Sequence, residues 1–191
     1  MGYVQRIEAR ILLDSKGLVA LEPPYDKCKL ISVAGRPVYA LFGDIDYYPN
    51  KEEILSLKYN KSKINKDKYE TFLTEMLHRF NSLEDAKTTD LLVSIETTSL
   101  LINDMAAKLK IPYIEAGFKK LNKEIKMRNI KMSERGKLPT TLKLDQKILG
   151  KGRHICLLDD FLSSGTTFKH AFSTLPENVT AYGVCLFQLK S

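Results

Sequence analysis

Ile155-Cys156-Leu157-Leu158-Asp159-Asp160-Phe161-Leu162-Ser163-Ser164-Gly165-Thr166-Thr167 is the stretch on which the reading of this chain turns. Its four consecutive apolar residues, Ile155 to Leu158, read as a strand buried on both faces, the kind found inside a parallel sheet. Asp159 and Asp160 then stand at the strand's C-terminal end, where open α/β sheets bind their ligands. The small-residue turn Ser163 to Thr167 opens into an apolar-periodic segment, Phe168 to Leu175, which predicts a helix. Such a turn offers backbone N–H groups and hydroxyls at the positive end of a helix dipole, an arrangement suited to phosphate. Carboxylates beside a phosphate cradle fit a phosphorylated sugar: the cradle holds the phosphate while the two aspartates accept hydrogen bonds from ribose hydroxyls.

Strands and helices alternate from Asp90 onward. Leu91 to Ile95 reads as a strand, Leu100 to Leu109 as a helix and Ile111 to Glu115 as a second strand. Thr141 to Ile148 reads as a further strand or ribbon, and Val179 to Leu189 as the last strand. This alternation predicts right-handed crossovers and a mostly parallel sheet. Upstream, Asp67 to Leu83 is the clearest helix, with Tyr69, Phe72, Leu73, Met76, Leu77 and Phe80 on one stripe. His78 lies off that stripe, on the surface. Residues 1 to about 45 hold short β-prone runs broken by Pro23-Pro24 and Gly35, which predicts a small antiparallel meander.

At 191 residues, 43% hydrophobic and 28% charged, the chain supports a single domain with a full core. No apolar run is long enough to span a bilayer and no signal-peptide core precedes the first strands, so a cytoplasmic protein without a membrane partner is expected. Cys28, Cys156 and Cys185 lack metal-ligand spacing. The last two lie in apolar runs and read as small core residues. The net charge of +7 is unevenly placed. Lys119 to Arg153 contains twelve Lys/Arg and three acidic residues, leaving eighteen basic and twenty acidic residues elsewhere. A nucleic-acid face would draw its basic residues from several elements, with aromatics interleaved. A single basic segment suits a small polyanion instead.

The Ile155 to Thr167 segment resembles the phosphoribosyl-pyrophosphate (PRPP) signature of the type I phosphoribosyltransferases. Three further segments, in the family's order, are similar to its adenine branch. Asp90 to Ser99 is similar to the strand and pyrophosphate loop, Leu41-Phe42-Gly43-Asp44-Ile45 to the base-binding segment, and Arg135-Gly136-Lys137-Leu138-Pro139 to the flexible loop. There are departures. Thr98 and Ser99 stand where the family has Arg-Gly, and Gly43 stands where it has Arg.

The resemblance implies a type I phosphoribosyltransferase-like α/β fold, a parallel sheet flanked by helices. Residues 1–50 would form a small N-terminal β-rich hood, and 51–191 a core whose flexible loop spans about 119–140. It implies transfer of 5-phosphoribosyl from PRPP to a purine, adenine first, giving AMP and pyrophosphate. Asp159, Asp160 and Glu134 would be catalytic. Ser163, Ser164, Gly165, Thr166 and Thr167 would hold the 5-phosphate. Glu96, Thr97, Thr98, Ser99, Lys119 and Lys120 would hold the pyrophosphate, and Leu41, Phe42 and Gly43 the base. Mg2+ would arrive on the PRPP oxygens, with Asp159 and Asp160 reaching it through water, and the family's usual assembly is a homodimer. Guanine, hypoxanthine, xanthine and orotate stay open as alternative bases. No histidine lies between Lys119 and Arg153, as orotate enzymes usually have, and Ser-Ser-Gly replaces the Asp-Thr-Gly typical of hypoxanthine-guanine enzymes. A non-catalytic PRPP-sensing protein is the alternative outside the enzymes.

Overall fold

The computed structural model describes residues 11–13, 19–21, 28–47, 66–96, 100–120, 134, 142–145 and 153–189. Its strands are β1 (Ile11–Leu13), β2 (Val19–Leu21), β3 (Lys29–Val33), β4 (Arg36–Ala40), β5 (Leu91–Ser94), β6 (Tyr113–Ile114), β7 (Phe118–Lys120), β8 (Leu142–Leu144), β9 (His154–Leu162) and β10 (Thr180–Gln188). The helices are α1 (Lys66–Asn81), α2 (Leu100–Leu109) and α3 (Thr166–Ser173). Six strands form the central sheet in the order β3-β4-β10-β9-β5-β6. Every neighbouring pair in it is parallel except the β3–β4 hairpin at one edge.

β9 is central because its sequence allows nothing else. Residues Ile155 to Leu158 are buried on both faces, and the strand pairs with β10 on one side and β5 on the other. Parallel neighbours need crossovers, which carry helices onto the faces of the sheet. α1 and α2 cover one face, packing Leu73, Met76, Phe80, Leu101 and Met105 against Cys156, Leu158 and Val184. α3 covers the other, packing Phe168, Ala171 and Phe172 against Ile155, Leu157, Ala181 and Cys185. Cys156 and Cys185 are thus small core residues, one in each layer, as their apolar runs suggest. The i, i+3, i+4 stripe of α1 buries Tyr69, Leu73, Met76 and Phe80. The helix stops at Asn81, where Ser82 N–H donates to the His78 and Arg79 carbonyls and Leu83 N–H to Phe80. Among the described residues, no helix is long and apolar enough to cross a membrane.

Two expectations need correction. Residues 29–40 are not part of a separate hood. β4 pairs in parallel with β10, Val38 opposite Gly183 and Ala40 opposite Cys185, so the β3–β4 hairpin extends the central sheet. Its turn, Ala34-Gly35, has positive φ at both residues (51° and 76°), the backbone that twists a two-residue hairpin into register with its sheet. Among the described residues of the N-terminal segment, β1 and β2 form an antiparallel pair separate from the central sheet. The second correction concerns β9, which does not end before its acids. It continues through Asp159 and Asp160 to Leu162, held there by β10.

The β9–β10 ladder is regular up to Cys185 opposite Asp159 and resumes at Phe187 opposite Phe161. Past the break the alternation of faces is reset. Leu186 and Phe187 are consecutive, yet both pack in the layer under α1 and α2. Local breaks of this kind re-aim side chains near functional sites. Here the break turns Phe187 toward Phe42, with ring centroids 5.3 Å apart.

Gly183 faces α3 at the closest approach of strand and helix. A Cβ there would meet Phe168 Cε1 at 2.6 Å, Cδ1 at 2.8 Å and Val38 Cγ2 at 3.0 Å. Because a phenyl ring clamped between strand and helix has little room to turn, Gly183→Ala should destabilise the fold by about 1–3 kcal/mol. Urea denaturation of the two proteins measures this, and an unchanged midpoint would contradict the packing described.

Candidate functional site

The C-terminal ends of β5, β9 and β10 meet along one rim of the sheet. Ser94 pairs with Leu158, and Ile95 N–H donates to the Leu158 carbonyl at 3.0 Å, which brings the end of β5 beside Asp159. The two aspartates are not equivalent. Asp160 is 1% exposed while Asp159 is half-buried. The Asp159 carboxylate accepts a hydrogen bond from Asp160 N–H at 2.8 Å, which holds it against its own backbone. Both carboxylates lie close enough to Cys185 to act on its thiol. Burial, then the charge on Asp159 and to a lesser degree that on Asp160, push that thiol well above its ordinary pKa. Of the pair, Asp159 is the one that reaches the rim.

The turn after β9 enters α3 through Gly165, which has φ 72° and ψ 0°, a left-handed conformation that L side chains rarely adopt. Ser164 and Thr166 hydroxyls bond each other at 2.9 Å, and Lys169 N–H donates to the Gly165 carbonyl at 2.9 Å, closing the first turn. Ser164 is exposed, Ser163 and Thr167 are half-buried, and Thr166 is buried. As N-cap, Gly165 supplies no side-chain acceptor to the first amides of α3. Those amides point along the positive end of the helix dipole. The turn sits directly past Asp159 and Asp160 in the chain, so a carboxylate and the anion-seeking amides share one rim.

The other residues expected at the site are distributed less simply. Glu96 is half-buried one residue beyond Ile95, on the same rim. Thr97, Thr98 and Ser99 lie outside the described residues. Lys119 is on β7, in a two-stranded ribbon with β8. That ribbon is rooted on the end of β5, since Gly117 N–H donates to the Ser94 carbonyl and Ala116 N–H to Ser94 Oγ, both at 2.8 Å. Lys120 pairs in register with the buried Leu142. Glu134 is exposed, and the segments on either side of it lie outside the described residues.

Leu41, Phe42 and Gly43 follow β4 onto the same rim, but they do not present what was expected of them. Phe42 is 2% exposed and stacked on Phe72 at 4.3 Å between centroids, with the Arg79 guanidinium 5.0 Å from its ring. All three N–H groups are already donated, to the carbonyls of Cys185, Leu186 and Ala40. The carbonyls of Leu41 and Gly43 accept from Arg79 Nη1 and Gln188 N–H, at 3.0 and 2.8 Å. The Phe42 ring, the three N–H groups and the Leu41 and Gly43 carbonyls are therefore already engaged by the sheet and α1.

Sequence reasoning missed three residues. Arg79 is a buried cation that ties α1 to the Leu41 turn, and its Nε also donates to Glu75 at 2.7 Å. Its position within the apolar stripe of α1, between Met76 and Phe80, was the available signal. Gln188 ends β10, and its Oε1 is buried without a hydrogen-bond donor among the described residues. Lys143 lies opposite Lys119 across the ribbon, and the alternation Leu142-Lys143-Leu144 marked it as outward-facing. No family model matches the chain, and no curated protein matches it in sequence.

The direction a Cβ would take at Gly165 alters what substitution there tests. It would point at Val33 Cγ2 (3.3 Å) and Leu162 Cδ1 (3.8 Å), into the fold rather than toward an incoming anion. Gly165→Ala should therefore lower stability by about 1–2 kcal/mol through left-handed strain and crowding. Thermal unfolding reads this directly, and a variant as stable as the parent would mean the left-handed turn is wrongly assigned.

Proposed function

We propose that the chain binds PRPP and transfers its 5-phosphoribosyl group to a purine base, adenine first, releasing pyrophosphate and AMP. The observation that carries the proposal is the junction of Asp159 with the Ser163–Thr167 turn at the C-terminal rim of a parallel sheet. In this reading the α3 amides and the turn hydroxyls hold the 5-phosphate. Asp159 accepts from the ribose hydroxyls and lies near the positive charge that develops on the sugar. The bond from the anomeric carbon to the pyrophosphate oxygen breaks, and a bond from that carbon to a base nitrogen forms. The base gives up its N–H proton, for which Glu134 is the proposed acceptor. Asp160, being buried, supports the end of β9 rather than the sugar.

Mg2+, when bound, neutralises the leaving pyrophosphate. Among the described residues no three His, Cys, Asp or Glu side chains converge to hold a metal ion. Mg2+ would be held mainly by PRPP oxygens and water, with Asp159, the more exposed of the two aspartates, reaching it through water.

The base half of the proposal shifts from Phe42 to its neighbours. Phe161 follows the acid pair, is half-buried, and ends a run of rings through Phe187 (6.3 Å), Phe42 and Phe72. It offers the aromatic edge closest in sequence to the sugar site, with Phe42 as its support. Gln188 Oε1, a buried acceptor without a donor among the described residues, would favour a ligand N–H such as the exocyclic amine of adenine, since an unpaired buried acceptor costs about 1–3 kcal/mol. The internally committed backbone of Leu41 to Gly43 favours a second reading, a PRPP-binding protein without transferase activity.

Incubating the chain with Mg2+ and PRPP against adenine, guanine, hypoxanthine, xanthine and orotate tests both readings. The expected result is AMP and pyrophosphate formed fastest, with Asp159→Asn lowering kcat/KM about 100-fold or more while unfolding normally. Saturable PRPP binding without turnover of any base would select the second reading. Absence of PRPP binding would remove both.

A further inference from the structure

In the β7–β8 ribbon, register decides which lysines act together. Phe118 pairs with Leu144, Lys119 with Lys143, and Lys120 with Leu142. Directly opposed residues of an antiparallel pair share a face, and successive residues alternate between faces. Phe118 and Leu142 are buried in the layer under α3, so theirs is the inner face. The outer face carries Lys119 and Lys143 side by side, both exposed, the Lys119 side chain 73% so. Their Cβ atoms are held about 4.5–5.5 Å apart by the pairing itself.

Like charges directly opposite each other destabilise a strand pair. Lys119 is steadied by Asp145, whose Oδ2 lies 3.4 Å from its Nζ. Asp145 N–H in turn donates to the Gly117 carbonyl at 2.8 Å. Lys143 has no ion pair among the described residues. A repulsive pair at the root of the most basic stretch of the chain makes sense if an anion lies across it. Its placement favours the same conclusion. Gly117 hangs on Ser94, and Ser94 pairs with Leu158, the residue before Asp159. The ribbon that carries the two lysines is therefore rooted on the C-terminal end of β5, the strand next to β9.

We infer that Lys119 and Lys143 form a two-cation platform for a diphosphate group. Two ammonium groups fixed side by side match an anion with two linked phosphates better than a lone phosphate, which a single lysine serves as a point charge. That the diphosphate is the leaving group of PRPP rests on the transferase reading above. The platform itself rests on register and exposure. Lys143, which comes after the basic loop rather than before it, is then the functional partner of Lys119, in place of Lys120.

The test is isothermal titration of the full chain with inorganic pyrophosphate and, separately, orthophosphate at one fixed ionic strength. The proteins compared are the parent, Lys119→Gln, Lys143→Gln, the double variant, and Lys108→Gln as a control for an exposed lysine at the far end of α2. The expected result is pyrophosphate affinity lowered roughly 5- to 10-fold by each single change, with the double variant costing less than the product of the two. Orthophosphate should bind more weakly, and Lys108→Gln should match the parent. Lys143→Gln should also melt no lower than the parent without ligand, yet show a smaller rise in Tm with pyrophosphate at the same concentration. If Lys143→Gln binds pyrophosphate like the parent or the Lys108 control, or if orthophosphate binds as tightly as pyrophosphate, the platform is refuted. Turnover of PRPP with the base panel separates the two ideas. Pyrophosphate binding that depends on both lysines without any turnover keeps the platform and removes the transferase. Turnover with pyrophosphate binding and kcat/KM unchanged in Lys143→Gln does the reverse.

Discussion

Burial of β9 on both faces and both edges is the constraint from which the rest of the architecture follows. A strand with no polar face cannot lie at the edge of a sheet without exposing unpaired backbone and apolar side chains together. Once it is central and its neighbours are parallel, each neighbour must return through a crossover. The helices so introduced cover both faces, which is the only arrangement that hides Ile155 to Leu158. A consequence of parallel order is that the strand ends collect on one rim. Asp159, Ile95, the Leu41 turn and the root of the β7–β8 ribbon meet there because the topology leaves them nowhere else.

The rim carries features that a fold optimised only for stability would avoid. Gly165 holds a left-handed conformation, Gln188 buries an acceptor without a donor among the described residues, and two lysines face each other across a short ribbon. The ladder between β9 and β10 also skips one row beside the acids. Each costs stability, and all lie toward the C-terminal end of the sheet. By contrast, the other end is closed by ordinary pairing. Asp90 accepts from Arg153 and His154 N–H, Tyr39 donates to Asp85 at 2.7 Å, and Thr88 Oγ1 lies 2.6 Å from His154 Nδ1. His154 Nε2 is the exception at that end, buried without a hydrogen-bond partner among the described residues.

Arg79 shows how one buried cation can redirect a sequence-based reading. Its guanidinium holds the Leu41 carbonyl, lies against the Phe42 ring and takes Glu75 as counter-ion. Burying such a charge is tolerable only because its donors are engaged. The effect is to turn Phe42 inward and to leave Phe161 as the ring beside the acid pair. Leu41-Phe42-Gly43, the segment expected to hold a base, lies on the rim with its N–H groups already donated within the fold.

The elements themselves were legible because they depend on local periodicity. The apolar run at Ile155, the stripe from Tyr69 to Phe80 and the helix Leu100–Leu109 are properties of residues near one another in the chain, and so are the acids followed by a small-residue turn. Side-chain burial in Cys156 and Cys185 followed from the same runs. What only the tertiary structure decided depends on strands far apart in sequence. The pairing of β4 with β10 made a supposed hood into a sheet edge. The extension of β9 past its acids required β10 beside it, and that extension buried Asp160 while leaving Asp159 at the rim. Which lysine lies opposite Lys119, Lys143 rather than its chain neighbour Lys120, was set by antiparallel register across the ribbon. The pattern of a sequence states which residues want burial. Which partner satisfies each of them is a question of long-range register, and only the assembled sheet answers it.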